Sequence, residues 1–204
     1  MNDKEQTWIA QAQTGDDQAF ANLVEAYQKR VFSVCYRMLG NANDAEDAAQ
    51  EAFLRAYTNI KSFDPERSFA TWLLSIASHH CIDRLRKKRL PSFSMDDEKH
   101  DWWKPPDPGP DPEATLVAQQ KQARVEAMLD VLKPKDRAAV VLNYWKGYSY
   151  QEIAETLSLS VSAVKSRLYR ARRTLAEEWQ EQEQELQALE TNMIERATHE
   201  TPAF

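Results

Sequence analysis

The stretch from Ser149 to Arg173, SYQEIAETLSLSVSAVKSRLYRARR, constrains the fold more than any other part of the chain. It reads as two short helices joined by a tight turn. Ser149 with Glu152 three residues on is the pattern of a capping box, and Ile153, Ala154 and Leu157 mark one apolar face. Ser158-Leu159-Ser160 forms the connection, with Ser160 positioned to cap the second helix. Val161, Val164, Leu168, Ala171 and Leu175 then follow at helical spacing. From Ser160 to Leu175 there are five bases, Lys165, Arg167, Arg170, Arg172 and Arg173, and no acid. A cationic helix after a tight turn suits a reader of the DNA major groove, with base-edge donors near its start and phosphate contacts from its far end.

The net charge of −6 over 204 residues runs against that reading until its distribution is considered. Residues 176–204 hold eight acids and one base, a local charge of −7, so the remainder carries +1 with its bases clustered. An acidic tail therefore masks a nucleic-acid-binding body in the bulk composition. The two cysteines, Cys35 and Cys81, each lie inside an apolar helical pattern, and neither a secretory leader nor a membrane-length apolar run is present, so a cytoplasmic chain with reduced thiols and no membrane insertion is expected. His79-His80-Cys81 resembles a metal motif only on paper, because adjacent helical residues point in different directions. With four glycines, no glycine-rich phosphate loop and no nucleophile setting, the chain is not read as an enzyme and calls for no catalytic residue, cofactor or metal.

The fold class expected is all-α: two small helical domains joined by a proline-rich linker, the second ending in the helix-turn-helix. Helices are predicted from about Lys4 to Thr14, Asp16 to Leu39, Asn43 to Asn59, and from a cap at Ser68 to Arg89, with the loop 61–67 before the last. Residues 1–90 form the first domain. Residues 91–112 contain six of the nine prolines and form the linker, which fully extended spans up to ~70 Å at about 3.1 Å per residue. The second domain, 113–176, opens at Asp111-Pro112-Glu113 with a helix to about Leu132, followed by one from Pro134 to Gly147 that buries Ala138, Val141, Leu142 and Trp145. Residues 177–204 are the acidic tail.

This order of parts resembles a bacterial sigma factor of the extracytoplasmic-function group of the sigma-70 family. DAEDAAQEAFLRAY and SFATWLLSIASHHCIDRLRKKR lie in the first domain, the linker follows, and the helix-turn-helix completes the set. The resemblance covers roughly residues 6–176. It implies binding to core RNA polymerase, through the clamp coiled coil of the largest subunit and the flap of the second-largest, promoter DNA as the other partner, and an anti-sigma factor. It implies polymerase docking by Asp44, Glu46, Asp47, Gln50 and Glu51. It implies −10 recognition and melting by Phe63, Asp64, Arg67, Ser68, His79, Arg84, Arg86, Lys87 and Lys88, where Phe63 either supports an unstacked base or anchors the loop. The −35 element falls to Ser162, Lys165, Ser166, Arg167, Tyr169, Arg170 and Arg173, with Arg167 alternatively paired to an acid of a preceding helix. Two departures stand out: His79 and Lys165 occupy positions where the family often has asparagine and arginine. A stand-alone helix-turn-helix regulator is the alternative, but it leaves the N-terminal domain unexplained. For the tail, whose sparse apolar stripe is Leu175, Trp179, Leu186, Leu189 and Met193, two expectations stand: a brake folded back on the second domain, or a disordered solubilising segment.

Overall fold

The computed structural model describes residues 3–88 and 123–199, with side chains to residue 184. The expected linker, Arg89 and the start of the helix expected from Glu113 lie outside the described residues. Among those described every element is helical: α1 (Asp3–Gln13), α2 (Asp17–Leu39), α3 (Ala42–Asn59), α4 (Phe69–Lys88), α5 (residues 123–130), α6 (Pro134–Val140), α7 (Tyr150–Leu157) and α8 (Val161–His199).

Local chemistry sets the helix limits. Asp16 caps α2 by accepting from the amides of Gln18 and Ala19, and Gly40 closes it in the left-handed region at φ +78°. Asn41 caps α3, and Ser68 accepts from the amide of Thr71 at the start of α4. The capping box at α7 is complete, with Ser149 and Glu152 each satisfying the other's backbone amide. In the turn that follows, Ser158 adopts a left-handed conformation (φ 52°) and the Leu159 amide reaches the Ala154 carbonyl at 2.9 Å. Ser160 then accepts from the Ala163 amide to start α8.

The segment after α6 departs from the sequence expectation. Val141–Trp145 is a π turn rather than a continuing α-helix. The wider turn shifts the side-chain phase, so Val141 and Leu142 stay buried while Trp145 swings out to 37% exposure beneath the Arg37 guanidinium, 5.1 Å from its ring.

The two helical units pack against each other and share one apolar core running from Ile9 to Ala171. α4 contacts α2 and α3 in its own unit and α6 and α7 across the interface, and it is buried along two stripes, Phe69-Leu73-Ala77 and Thr71-Leu74-Ser78. Arg137 of α6, 2% exposed, bolts the units together. It donates to the Met38 carbonyl at 2.8 Å and to Asp130 at 2.6 Å. Met38 lies in the last turn of α2, where carbonyls lack intrahelical partners and the helix dipole favours a cation. Farther along α2, Arg30 lies over Tyr148, Ser33 accepts from Lys146 at 3.0 Å, and Tyr36 donates to Glu126 at 2.8 Å.

α8 is one continuous helix through the start of the acidic tail to His199. A helix that runs straight on cannot turn back onto its own basic face, so neither the fold-back brake nor a disordered segment describes residues 177–199.

Candidate nucleic-acid interface

The helix-turn-helix presents a defined outer row. Val164, Leu168 and Ala171 anchor α8 in the core, which turns Ser162, Lys165, Ser166, Tyr169, Arg170 and Arg173 toward solvent. Tyr169 is 69% exposed, an aromatic with no place in the core and a surface available for contact. Arg167 is different. Its guanidinium donates to Asp136 of α6 at 2.7 Å, and Asp136 is only 7% exposed in its side chain. Of the two readings of Arg167, the structure supports the ion pair to a preceding helix: this side chain holds α8 to α6 and does not face outward. Arg170 remains exposed but lies 3.7 Å from the same carboxylate. Arg172 donates to the hydroxyls of Tyr144 and Tyr150, and Arg173 pairs with Glu177 one turn on at 2.8 Å.

The loop between α3 and α4 splits in two. Asp64, Arg67 and Ser68 are exposed, while Phe63 is 4% exposed. Phe63 packs edge-on to Phe69 and against Trp72, with ring centroids 5.5 and 4.9 Å apart, and its carbonyl accepts from Gln13 at 2.7 Å. It is the loop's anchor, because an apolar ring on so short a loop gains more from the aromatic cluster than from solvent; no face of it is open to stack a base. On α4, half-buried His79 directs Nδ1 to the Ser75 carbonyl at 2.8 Å. The neighbouring His80 titrates below the usual histidine range, through burial and the Arg55 charge. Cys81 is held well above the usual thiol range by its hydrogen bond with Cys35 and by burial, so it stays an inert thiol, and both cysteines are buried and free of any disulfide. The described residues contain no cluster of three or more metal-ligating side chains.

The basic end of α4 folds onto α3. Asp44 accepts from Arg84, and from Lys88 at 2.6 Å. Burial disfavours the charge on Asp44, but hydrogen bonds from Lys88 and Asn41 and the Arg84 charge outweigh it, and the carboxyl lies below its ordinary range. The sequence assigned Asp44 to one partner and Arg84 and Lys88 to another; the structure brings the three together. Arg86 and Lys87 stay exposed.

The remaining docking candidates on α3 also divide. Asp47 and Gln50 are exposed, Glu51 pairs with Arg55 at 2.6 Å, and Glu46 is buried. Glu46 and Gln50 line a groove between α2 and α3 whose apolar wall is Val24, Phe32, Ala49 and Phe53. Sequence reading missed the α2 side of that groove, which carries Gln28 and Lys29, and it missed Asp136. Val24 was visible as part of an apolar stripe, but nothing in a single helix's periodicity says which stripe residues stay half open between two helices.

Comparison with known proteins agrees with this geometry. Residues 23–90 match the Sigma-70 region 2 family and residues 122–175 the Sigma-70 region 4 family. The ECF RNA polymerase sigma factor SigW of Bacillus subtilis is 40% identical over 173 residues, covering 82% of this chain and 92% of the relative. The RNA polymerase sigma-H factor of Pseudomonas aeruginosa is 30% identical, covering 85% of this chain and 92% of the relative. Among solved structures, CnrH in complex with the cytosolic domain of CnrY aligns with a TM-score of 0.66 at 28% identity, covering 87% of this chain and 98% of CnrH. No helix among the described residues is long and apolar enough to cross a membrane. The chain belongs to the extracytoplasmic-function group of sigma-70 RNA polymerase sigma factors.

Proposed function

We propose that this sigma factor reads the −35 element with Ser162, Lys165, Ser166, Tyr169 and Arg170, and the −10 element with the outer loop Asp64, Arg67 and Ser68 together with His79, Arg86 and Lys87. The observation that carries the reading is the solvent-facing row of α8, set on the second helix of a fully capped helix-turn-helix. The α2–α3 groove, bordered by Glu46 and Gln50, is the docking site for the clamp coiled coil, since an apolar trough flanked by polar groups suits an incoming pair of helices. Residues 1–90 serve polymerase docking and the −10 element, 91–112 connect, and 113–176 serve the −35 element and the flap. The protein acts without catalysis of its own, in the cytoplasm.

Reading two elements about two helical turns of DNA apart calls for the two units to part from the packing in which α4 lies against α6 and α7. The linker is long enough for that, spanning up to ~70 Å when extended. The packed arrangement is then a form kept off the promoter, and an anti-sigma partner, as the CnrH–CnrY complex suggests, would hold it or a form like it.

Run-off transcription with purified core polymerase on a promoter library tests the reading. Specific initiation should need both the chain and core, and the isolated chain should bind duplex DNA weakly. Tight binding of palindromic DNA by a dimer of the isolated chain, without core, would make it a stand-alone regulator.

A further inference from the structure

One edge of the contact between the two units carries an excess of positive charge. Arg30, Ser33 and Arg37 share a face of α2, and the two arginine backbones lie about 10.5 Å apart along its axis. Lys146, from the turn after α6, enters between them, and its ammonium donates to the Ser33 hydroxyl at 3.0 Å. Each arginine meets an aromatic ring of the second unit rather than an acid. Arg30 lies 5.5 Å from the centre of the Tyr148 ring, with its guanidinium 3.4 Å from the hydroxyl, and Arg37 lies 5.1 Å from the centre of Trp145. Three cations thus stand in one row, two from the first unit and one from the second.

Among the described residues, no carboxylate lies within ion-pair distance of Arg30, Arg37 or Lys146. The acids of adjoining elements are engaged elsewhere: Glu5 accepts from Tyr27, Glu126 from Tyr36, and Glu152 closes the capping box of α7. Burial, then the charges of Arg30 and Arg37, push Lys146 below the usual lysine range. Protein interfaces set opposite charges against each other, and like charges brought together cost free energy. An anion in the row removes that cost. The donors for one are in place. Arg37 meets no hydrogen-bond acceptor among the described residues, and the Ser33 hydroxyl, whose oxygen accepts from Lys146, keeps its own proton to give. The edge is open to water, with Tyr144 58% exposed beside Trp145.

The arrangement selects the class of anion. Guanidinium forks and an ammonium in line match successive phosphate groups of one chain. A lone phosphate spans too little of a row about 10.5 Å long. An acidic peptide carries its charges on separate side chains, each of which must be ordered at an entropic cost.

We propose that Arg30, Arg37 and Lys146, with the Ser33 hydroxyl, form a binding site for an oligophosphate chain, free or carried on a nucleotide, whose occupant holds the two units together. The row draws on both units, so the anion binds their packed arrangement and stabilises it. This inference is independent of the −10 and −35 assignments and would hold if they failed.

Calorimetry on the full-length protein, with sodium tripolyphosphate as the probe and no divalent metal, tests the site. Arg37→Gln, in the first unit, and Lys146→Gln, in the second, should each weaken binding about tenfold, as the loss of a charge-assisted contact does. Lys61→Gln and Lys133→Gln, exposed cations one in each unit, remove the same charge and should leave affinity within about twofold. Lys146→Gln relieves repulsion, so without the anion its melting temperature should be no lower than the parent's, which separates lost binding from lost fold. Hydrogen exchange at the α7 amides should slow when tripolyphosphate is added to the parent and stay unchanged in Lys146→Gln. ATP as a second probe distinguishes the sources: tighter binding than tripolyphosphate assigns a nucleotide, equal or weaker binding a free oligophosphate. Equal losses in all four variants, or no binding of tripolyphosphate at about 1 mM, overturn the proposal. Equally tight binding of a hexaglutamate peptide overturns it in favour of an acidic protein segment. Binding that leaves α7 exchange unchanged overturns the bridging of the two units.

Discussion

The two basic helices of this protein look alike as strings and differ as surfaces. α4 ends in Arg84, Arg86, Lys87 and Lys88, and α8 carries Lys165, Arg167, Arg170, Arg172 and Arg173. On α4 half of the named charge is already paired within the protein: Arg84 and Lys88 both grip Asp44, a largely buried carboxylate on α3. On α8 one arginine, Arg167, is taken by Asp136, while Lys165 and Arg170 stay on the outside beside Ser166 and Tyr169. The difference comes from the neighbours. An acid within reach on a packed helix captures a long cationic side chain at little entropic cost once the stem is already pinned. Counting bases along a helix therefore overstates a nucleic-acid surface wherever the adjoining helix offers a carboxylate.

Removing the outward pair on α8 tests its side of the contrast most severely. Ser166→Ala with Arg170→Ala should lower run-off transcription from a −35-dependent promoter about a hundredfold, from base contacts worth ~1–3 kcal/mol each. Thermal stability should stay within about 0.5 kcal/mol of the parent, as for other surface changes. A comparable loss on a promoter lacking a −35 element would mean these residues do not read sequence.

Arg167→Ala should do the reverse. It leaves Asp136 buried without its partner, and about 2–3 kcal/mol of stability should go, measured by urea denaturation. Sequence preference at the −35 element should not change among the molecules that remain folded. Altered preference without loss of stability would return Arg167 to the reading surface.

Asp44→Asn asks whether the α4 cations can be made to behave like those on α8. The variant should cost about 1 kcal/mol, a modest figure because Lys88 is well exposed. It should also release Arg84 and Lys88 toward phosphate, steepening the salt dependence of holoenzyme binding to promoters by up to about two ions. An unchanged salt slope would mean that Arg84 and Lys88 already reach DNA with Asp44 in place.

The smallest effect is a pH dependence. The Asp44 carboxyl titrates below its unfolded value in the folded protein, so its contribution is complete above the ordinary carboxylate pKa of about 4 and is lost as pH falls through the depressed folded value. Urea midpoints of the parent and Asp44→Asn should differ at pH 7 and converge below about pH 4. A constant difference down to pH 3 would remove the carboxylate as its cause.

Much of the fold could be read before any coordinates. The caps at Ser68, Ser149 and Ser160, the left-handed stop at Gly40 and the apolar faces of α2, α3 and α8 are local: each depends on residues within a turn or two. The order of motifs carried the family, because three helical signatures at fixed separations leave little room for another arrangement. Side-chain fate was less legible. The fate of Phe63 rested on an aromatic cluster formed with Phe69 and Trp72 of the next helix, and Trp145 on a single extra residue in a π turn. Neither event leaves a periodic trace.

Sequence alone established the helices, many of their caps and the helix-turn-helix, since all of these are short-range properties of the chain. The folded molecule alone established that Arg137 reaches the end of α2, that Asp44 disarms two cations of α4, and that the two units share a core. These contacts join residues some 40 to 100 positions apart. They are selected by burial and by the need to satisfy charged groups once helices meet, and no local pattern encodes which helices meet.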